Sequence, residues 1–166
     1  MSQLSTIEVA KEYLKFSAAH FTIFSATERE RLHGHNYSVS ARVVAPVDDN
    51  GLCFSYGEMK SRMRALCEAL DEYTLIPAQS PHLAITEQGD YFRVEFNGEV
   101  MLLLQTDTLL LPIRNSTVEE FSRYLLAKLQ EDTAFFNTYP CQSVEITVYS
   151  GPGQSATTVW LNDGEQ

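Results

Sequence analysis

The sequence predicts an α+β fold, with an antiparallel four-stranded sheet, two helices on one face and a small β-hairpin insert. Three observations lead there. Apolar and polar residues alternate with the period of a half-buried strand near both ends of the chain. Apolar residues recur at helical spacing behind capping-box patterns at two places, and strong turn dipeptides cluster between them.

The stretch from Ile7 to Phe16 reads as extended, with an apolar phase that changes between Val9 and Leu14 as a bulge would produce. It runs directly into Phe16-Ser17-Ala18-Ala19-His20. Residues 36–44 alternate, with Tyr37, Val39, Ala41 and Val43 on one face and Ser38, Ser40 and Arg42 on the other. The same phase carried backwards puts His33 and His35 on the inward side. Ser55-Tyr56-Gly57-Glu58 has the form of a capping box, and Met59, Met63, Leu66 and Leu70 follow at helical spacing, so a first helix is expected over 56–70. From 82 to 105 two hairpins are expected, with turns at Gln88-Gly89 and Asn97-Gly98; they form an insert bounded approximately by 79 and 106. A second helix begins at Ser116-Thr117-Val118-Glu119 and carries Val118, Phe121, Leu125 and Leu129 on one stripe. Val144, Ile146 and Val148 then alternate with polar partners, and Gly151-Pro152-Gly153 turns the chain into a last strand from Ala156 to Leu161.

At 166 residues and 18.7 kDa, one domain spanning 1–166 is expected, large enough to bury a core without metal or disulfide staples. A net charge of -10 and a pI of about 4.8 argue against nucleic acid and against an anionic membrane as partner. Cys53, Cys67 and Cys141 are odd in number and lack CxxC spacing, so neither a disulfide framework nor a thiolate metal site is expected. No leader pattern and no apolar run of membrane-spanning length stands out, and a cytoplasmic location is expected.

Three of the four histidines are His20, His33 and His35. Imidazoles at i and i+2 of a strand project to one face, and a third from the end of a neighbouring strand completes a facial set. Three protein ligands with one open position is the catalytic arrangement, whereas structural zinc is normally closed by four ligands and recruits cysteine. Such a set takes zinc, and by intrinsic affinity also nickel or copper.

With these motifs in hand, the chain resembles the 6-pyruvoyltetrahydropterin synthase / 6-carboxytetrahydropterin synthase family over nearly its full length. The resemblance rests on Phe16-Ser17-Ala18-Ala19-His20, Leu32-His33-Gly34-His35-Asn36-Tyr37, Leu70-Asp71, Asn115-Ser116-Thr117-Val118-Glu119 and Gly151-Pro152-Gly153-Gln154-Ser155. It implies the tunnelling fold (T-fold), whose units assemble as trimers around a barrel and stack into hexamers, so a homo-oligomer is expected. It also implies Zn2+ at His20, His33 and His35, and a pterin site between subunits to which Thr117 and Glu119 contribute. Helix capping accounts for those two residues equally well. The implied substrate is 7,8-dihydroneopterin triphosphate, with zinc as Lewis acid for the side-chain oxygens and a base that moves protons between adjacent carbons.

Three positions depart from the family pattern. Familiar members place a cysteine, the base, four residues before the His-Gly-His pair, where this chain has Arg29. Glu30 is the substitute base, although the run Glu28-Arg29-Glu30-Arg31 also reads as a solvated loop. A branch of the family with glutamate in place of the cysteine is associated with cleavage of the side chain to 6-hydroxymethyl-7,8-dihydropterin, and Arg29-Glu30-Arg31-Leu32-His33 looks similar to it. A carboxylate base would need desolvation to raise its pKa. The family's Asp-His pair is here Asp71 followed by Glu72, which leaves Asp71 as the second candidate catalytic residue. Ser150 stands where relatives carry a glutamate that pairs with the pterin, a loss of about 2–3 kcal/mol of recognition. The expected function is a zinc-dependent carbon-oxygen lyase of this family acting on the side chain of 7,8-dihydroneopterin triphosphate or an analogue. Two other readings stay open: a catalytically decayed, zinc-bearing module that binds a small heterocycle, and a same-fold enzyme for a non-pterin substrate.

Overall fold

A computed structural model describes residues 3–163, so both ends of the expected 1–166 span lie outside the described residues. In chain order the elements are β1 (Leu4–Val9), β2 (Lys15–His20), β3 (His33–Pro46), α1 (Tyr56–Glu68), β4 (Tyr73–Pro77), β5 (Ala84–Gln88), β6 (Tyr91–Phe96), β7 (Glu99–Leu104), β8 (Thr108–Leu111), α2 (Val118–Glu131), α3 (Thr133–Thr138), β9 (Ser143–Gly151) and β10 (Gln154–Leu161). The main sheet runs β10-β9-β3-β2-β4-β8, with β1 also paired to β3. β5, β6 and β7 form a separate three-stranded sheet, the expected insert.

The main sheet has seven strands, not the four that the sequence predicts, and it is mixed rather than antiparallel. Two physical reasons account for the difference. First, the stretch from Ile7 to Phe16 is two strands. Val9 pairs with Ala41 and Lys15 with Ser38, so residues 10–14 stand against Val39 and Ser40 alone. Burial accordingly passes from the odd position Val9 to the even positions Leu14, Phe16, Ala18 and His20, so the phase change marks a five-residue excursion, wider than a bulge. Second, β4 and β8 are only five and four residues long, too short to display a period; β4 pairs in parallel with β2, and β8 in parallel with β4.

Both expected long helices pack against the sheet, α1 against β1 and β2 and α2 against β9 and β10, and they touch each other. Ser55 takes the N-cap position of α1 without making a side-chain cap bond. The cap of α2 is Thr117, whose side chain accepts from the Glu120 N–H at 3.4 Å, one residue later than the Ser116–Glu119 pattern suggests. Ser116 instead turns inward and donates to the Leu75 carbonyl at 3.0 Å.

The main core lies between sheet and helices. At its upper end Phe16 stacks on Tyr37 with centroids 5.0 Å apart, and Phe121 meets Tyr37 edge-on at 5.2 Å. A second apolar cluster, Phe21, Ile23, Ile76, Val94 and Phe96, joins the segment after β2 to the insert. The Asn97-Gly98 turn has φ of 46° and 79°, the left-handed pair that a two-residue hairpin demands. The three cysteines are free and buried. Among the described residues no helix is long and apolar enough to cross a membrane.

Candidate metal centre and the cavity around it

β2 ends at His20 and β3 begins at His33, and the antiparallel register sets these two directly opposite. His35 follows on the same face of β3. Ring centroids lie 4.7 Å (His20 to His33), 5.1 Å (His20 to His35) and 4.8 Å (His33 to His35) apart. One ligand atom from each lies within 4.8 Å of the other two, so the three histidines form a group able to hold a metal ion.

Backbone carbonyls set two of the tautomers. The Ser116 carbonyl is 2.8 Å from Nδ1 of His20, and the Arg31 carbonyl is 2.6 Å from Nδ1 of His33. A carbonyl can only accept, so each Nδ1 carries a proton, which leaves Nε2 as the ring nitrogen turned towards a metal. Burial is the largest influence on His20 and lowers its pKa, so the ring is neutral at pH 7. Its Nε2 is buried without a hydrogen-bond partner, and Nε2 of His33 sits 3.0 Å from Nε2 of His35. A buried lone pair with no donor, beside two converging ring nitrogens, is the need a cation satisfies.

The histidines open on a cavity of about 400 Å³, a size suited to a small heterocycle. Glu30, Thr117, Glu119 and Ser150 line it, so four residues singled out in the sequence from three separate segments do meet there. Thr22, Tyr37 and Gln154 line it as well, and sequence reasoning missed them. Tyr37 sat in the His33-to-Tyr37 run as a core residue. Its hydroxyl is buried without a partner, and burial, with Glu30 adding, pushes its pKa up.

Residues 21–30 form a tight hairpin with an exposed tip; of the charged run, Glu28 and Arg31 are exposed while Arg29 and Glu30 are half-buried. Ile23 bridges Arg29, the Glu30 N–H donates to the Thr22 carbonyl at 2.8 Å, and the Thr22 N–H donates to Oε2 of Glu30 at 3.0 Å. That carboxylate oxygen lies 3.9 Å from Nε2 of His33. Desolvation acts to raise the Glu30 pKa, but the Thr22 hydrogen bond and the neighbouring imidazoles outweigh it, so the pKa falls below the usual carboxylate value. The raised pKa expected for this residue is therefore not what the site produces. The Arg29 guanidinium stands over the rings of both Phe21 and Phe96.

Two residues of the Asn115-to-Glu119 motif, Asn115 and Ser116, fix this arrangement, a role the sequence did not assign them. Asn115 Oδ1 accepts from the Ile23 and Ser116 N–H groups at 3.0 Å each, while its amide donates to the Ile23 carbonyl at 2.8 Å. Asn115 thus ties the hairpin to the segment whose Ser116 carbonyl orients His20. The signal available in sequence was the polar run Asn115-Ser116-Thr117 before a helix, of which capping explains only Thr117. Asp71 is not brought to this cavity within the chain. Its Oδ1 accepts from the Ser17 N–H at 2.7 Å, and the Glu72 N–H donates to the Ser17 carbonyl, also at 2.7 Å, which fastens the end of α1 to β2.

A sheet-and-helix layer carrying three converging imidazoles at the mouth of a small cavity defines a T-fold protein with a candidate metal centre. The family described as 6-pyruvoyl tetrahydropterin synthase matches residues 8–159, and the chain belongs to that family, whose members are lyases. Among solved structures, 6-pyruvoyl tetrahydropterin synthase from Plasmodium vivax is similar at 31% identity, with a TM-score of 0.91 over 96% of this chain and 99% of that one. The Plasmodium falciparum protein is similar at 27% identity, with a TM-score of 0.91 over 98% and 100%. The Caenorhabditis elegans protein, at 16% identity and a TM-score of 0.59 over 98% of each chain, shares the fold. Two further Plasmodium vivax structures are of variants in which a glutamate described as a catalytic residue is replaced by alanine or cysteine. No curated protein matches the chain.

Proposed function

We propose that the protein is a zinc-dependent lyase acting on the side chain of 7,8-dihydroneopterin triphosphate or a close analogue, with Glu30 as the proton-transfer residue. The observation that supports this most is the placement of the Glu30 carboxylate inside the cavity, 3.9 Å from His33 Nε2 and held there by the Thr22 N–H. The catalytic glutamate named for the Plasmodium vivax protein supports it as well. His20, His33 and His35 hold the metal, which when bound supplies Lewis acidity to the substrate's oxygens.

Because its pKa is lowered, Glu30 is ionised at neutral pH and is present as the base. For cleavage it takes the proton of a side-chain hydroxyl; that carbon becomes a carbonyl as its bond to the ring-side carbon breaks, and the proton returns to the ring-side carbon, which holds the bond's electron pair. Thr117 and Glu119 bind the heterocycle, the Glu119 carboxylate being suited to a guanidine-like edge. Asp71 takes part only if a second copy of the chain completes the site, in keeping with a homo-oligomer whose sites lie between subunits. A glutamate in place of the usual cysteine favours cleavage to 6-hydroxymethyl-7,8-dihydropterin.

The test is incubation of zinc-loaded protein with 7,8-dihydroneopterin triphosphate and chromatography of the pterins. A new pterin that disappears with chelator supports the proposal. Absence of any product would favour a heterocycle-binding role, the reading that Ser150 at the cavity wall encourages.

A further inference from the structure

We infer that Arg29 is a positioning residue, whose guanidinium clamps the hairpin bearing Glu30 to the three-stranded insert and so sets where the Glu30 carboxylate sits. This rests on Glu30 being the proton-transfer residue. The guanidinium carbon lies 5.2 Å from the centre of the Phe21 ring, on the hairpin, and 5.6 Å from that of Phe96, on β6. One terminal nitrogen donates to the Glu30 carbonyl at 2.9 Å and the other to Oε2 of Glu99, on β7, at 3.0 Å. The Arg29 side chain is 18% exposed and that of Glu99 71%, so the ion pair closes over a cation that is mostly covered.

Each contact has a distinct consequence. Phe96 and Glu99 flank the Asn97-Gly98 turn, so both contacts come from one two-residue hairpin of the insert. The planar guanidinium can lie between two rings while its edges reach two oxygens in different directions, and a lysine ammonium cannot. The bond to the Glu30 carbonyl grips the backbone of the residue whose carboxylate must face the histidines. Remote contacts of this sort matter because a misplacement of about 1 Å in a catalytic group can cost about 100-fold in rate. The insert, which contributes no residue to the cavity lining, thereby becomes part of the catalytic apparatus.

The test uses the zinc-loaded full chain and four variants, Arg29→Met, Arg29→Lys, Glu99→Gln and Phe96→Leu, with Glu30→Gln as reference. In Arg29→Met, kcat is expected to fall by about 10- to 100-fold, with KM and zinc content little changed. Amide exchange at Thr22 and Glu30 is expected to quicken by about tenfold, while β3 and β9 keep their protection. Arg29→Lys recovers part of both effects. Wild-type kcat and wild-type exchange in Arg29→Met, beside an inactive Glu30→Gln, overturn the clamp. An active Glu30→Gln overturns the base assignment instead, and the exchange rates alone then decide the clamp. Should Arg29→Met fail to fold, Glu99→Gln and Phe96→Leu, which keep Arg29, are read the same way, and unchanged kcat and exchange in both overturn it.

Discussion

Replacing Glu120 with glutamine should cost about 2 kcal/mol of stability at neutral pH, on the usual worth of hydrogen bonds to a charged group. Glu120 lies in the first turn of α2 with its side chain 11% exposed. It accepts from Nε of Arg123 at 3.1 Å, from a terminal nitrogen of the same guanidinium at 2.9 Å, and from the Arg114 N–H at 2.7 Å. The Arg123 bonds, opposed by burial and helped by Arg114, hold its pKa down to about 2 from the ordinary 4.5. At about 1.36 kcal/mol per pH unit, the gap between 4.5 and about 2 sets a ceiling of about 3.4 kcal/mol. Water screens Arg123 and Arg114, which are 45% and 74% exposed, so the realised value falls below that ceiling. Because the folded-state pKa is depressed, the contribution is complete above pH 4.5 and is lost as pH falls towards about 2. Urea denaturation of both proteins at pH 7 and again near pH 3 measures it. The stability gap should be largest at pH 7 and shrink at the lower pH. A gap under about 0.5 kcal/mol at pH 7, no larger than an ordinary surface substitution, or one undiminished in acid, would refute the reasoning. Since Glu120 also fixes the backbone two residues before the Ser116 carbonyl, zinc affinity of the variant should weaken by about tenfold, as for other losses behind a ligand.

Glu30→Gln should lower turnover by about 100-fold or more while metal content stays at the wild-type level, checked by steady-state kinetics and elemental analysis; undiminished turnover would remove Glu30 from the mechanism. Chelation should lower the melting temperature, with about 2.7 kcal/mol of stabilisation regained at free zinc 100-fold above its Kd; a melting temperature blind to zinc would mean that the histidines do not hold it. Because burial keeps His20 neutral below its ordinary 6.5, its part of that zinc response should persist into mildly acidic solution, which melts at stepped pH would follow. Ser150→Glu should tighten binding of a pterin by about 10- to 100-fold in calorimetry, provided the guanidine-like edge seats at that end of the cavity, whereas weaker binding would place it elsewhere.

The convergence of the three histidines was legible because it depends on strand periodicity. His33 and His35 share parity with Tyr37 and Val39, and a single face assignment places all of them. The insert and its Asn97-Gly98 turn were legible for a similar reason, since turn chemistry is local. What escaped reading depends on pairing between distant segments. β4 acquires strand character only by lying beside β2, and β8 by lying beside β4, because four or five residues carry no period of their own. The side chain of Arg29 and the lowered pKa of Glu30 were hidden in the same way. A charged run reads as solvated until Phe96 arrives from the insert and the Thr22 N–H arrives across the hairpin. Asn115 and Ser116 were obscured by capping statistics, which favour such residues whether or not they brace a histidine.

The excursion at residues 10–14 has a consequence for how the chain tolerates change. With β1 and β2 held separately against one long strand, the exposed residues 10–13 between them act as an expansion joint, while the buried Leu14 is held to β3 through its carbonyl. An added or deleted residue there alters slack, whereas the same change inside β2 would rotate His20 to the opposite face and take away a ligand. The histidine cluster is thereby insulated from length variation between β1 and β2, and β1 is free to drift in sequence while the imidazoles stay in phase.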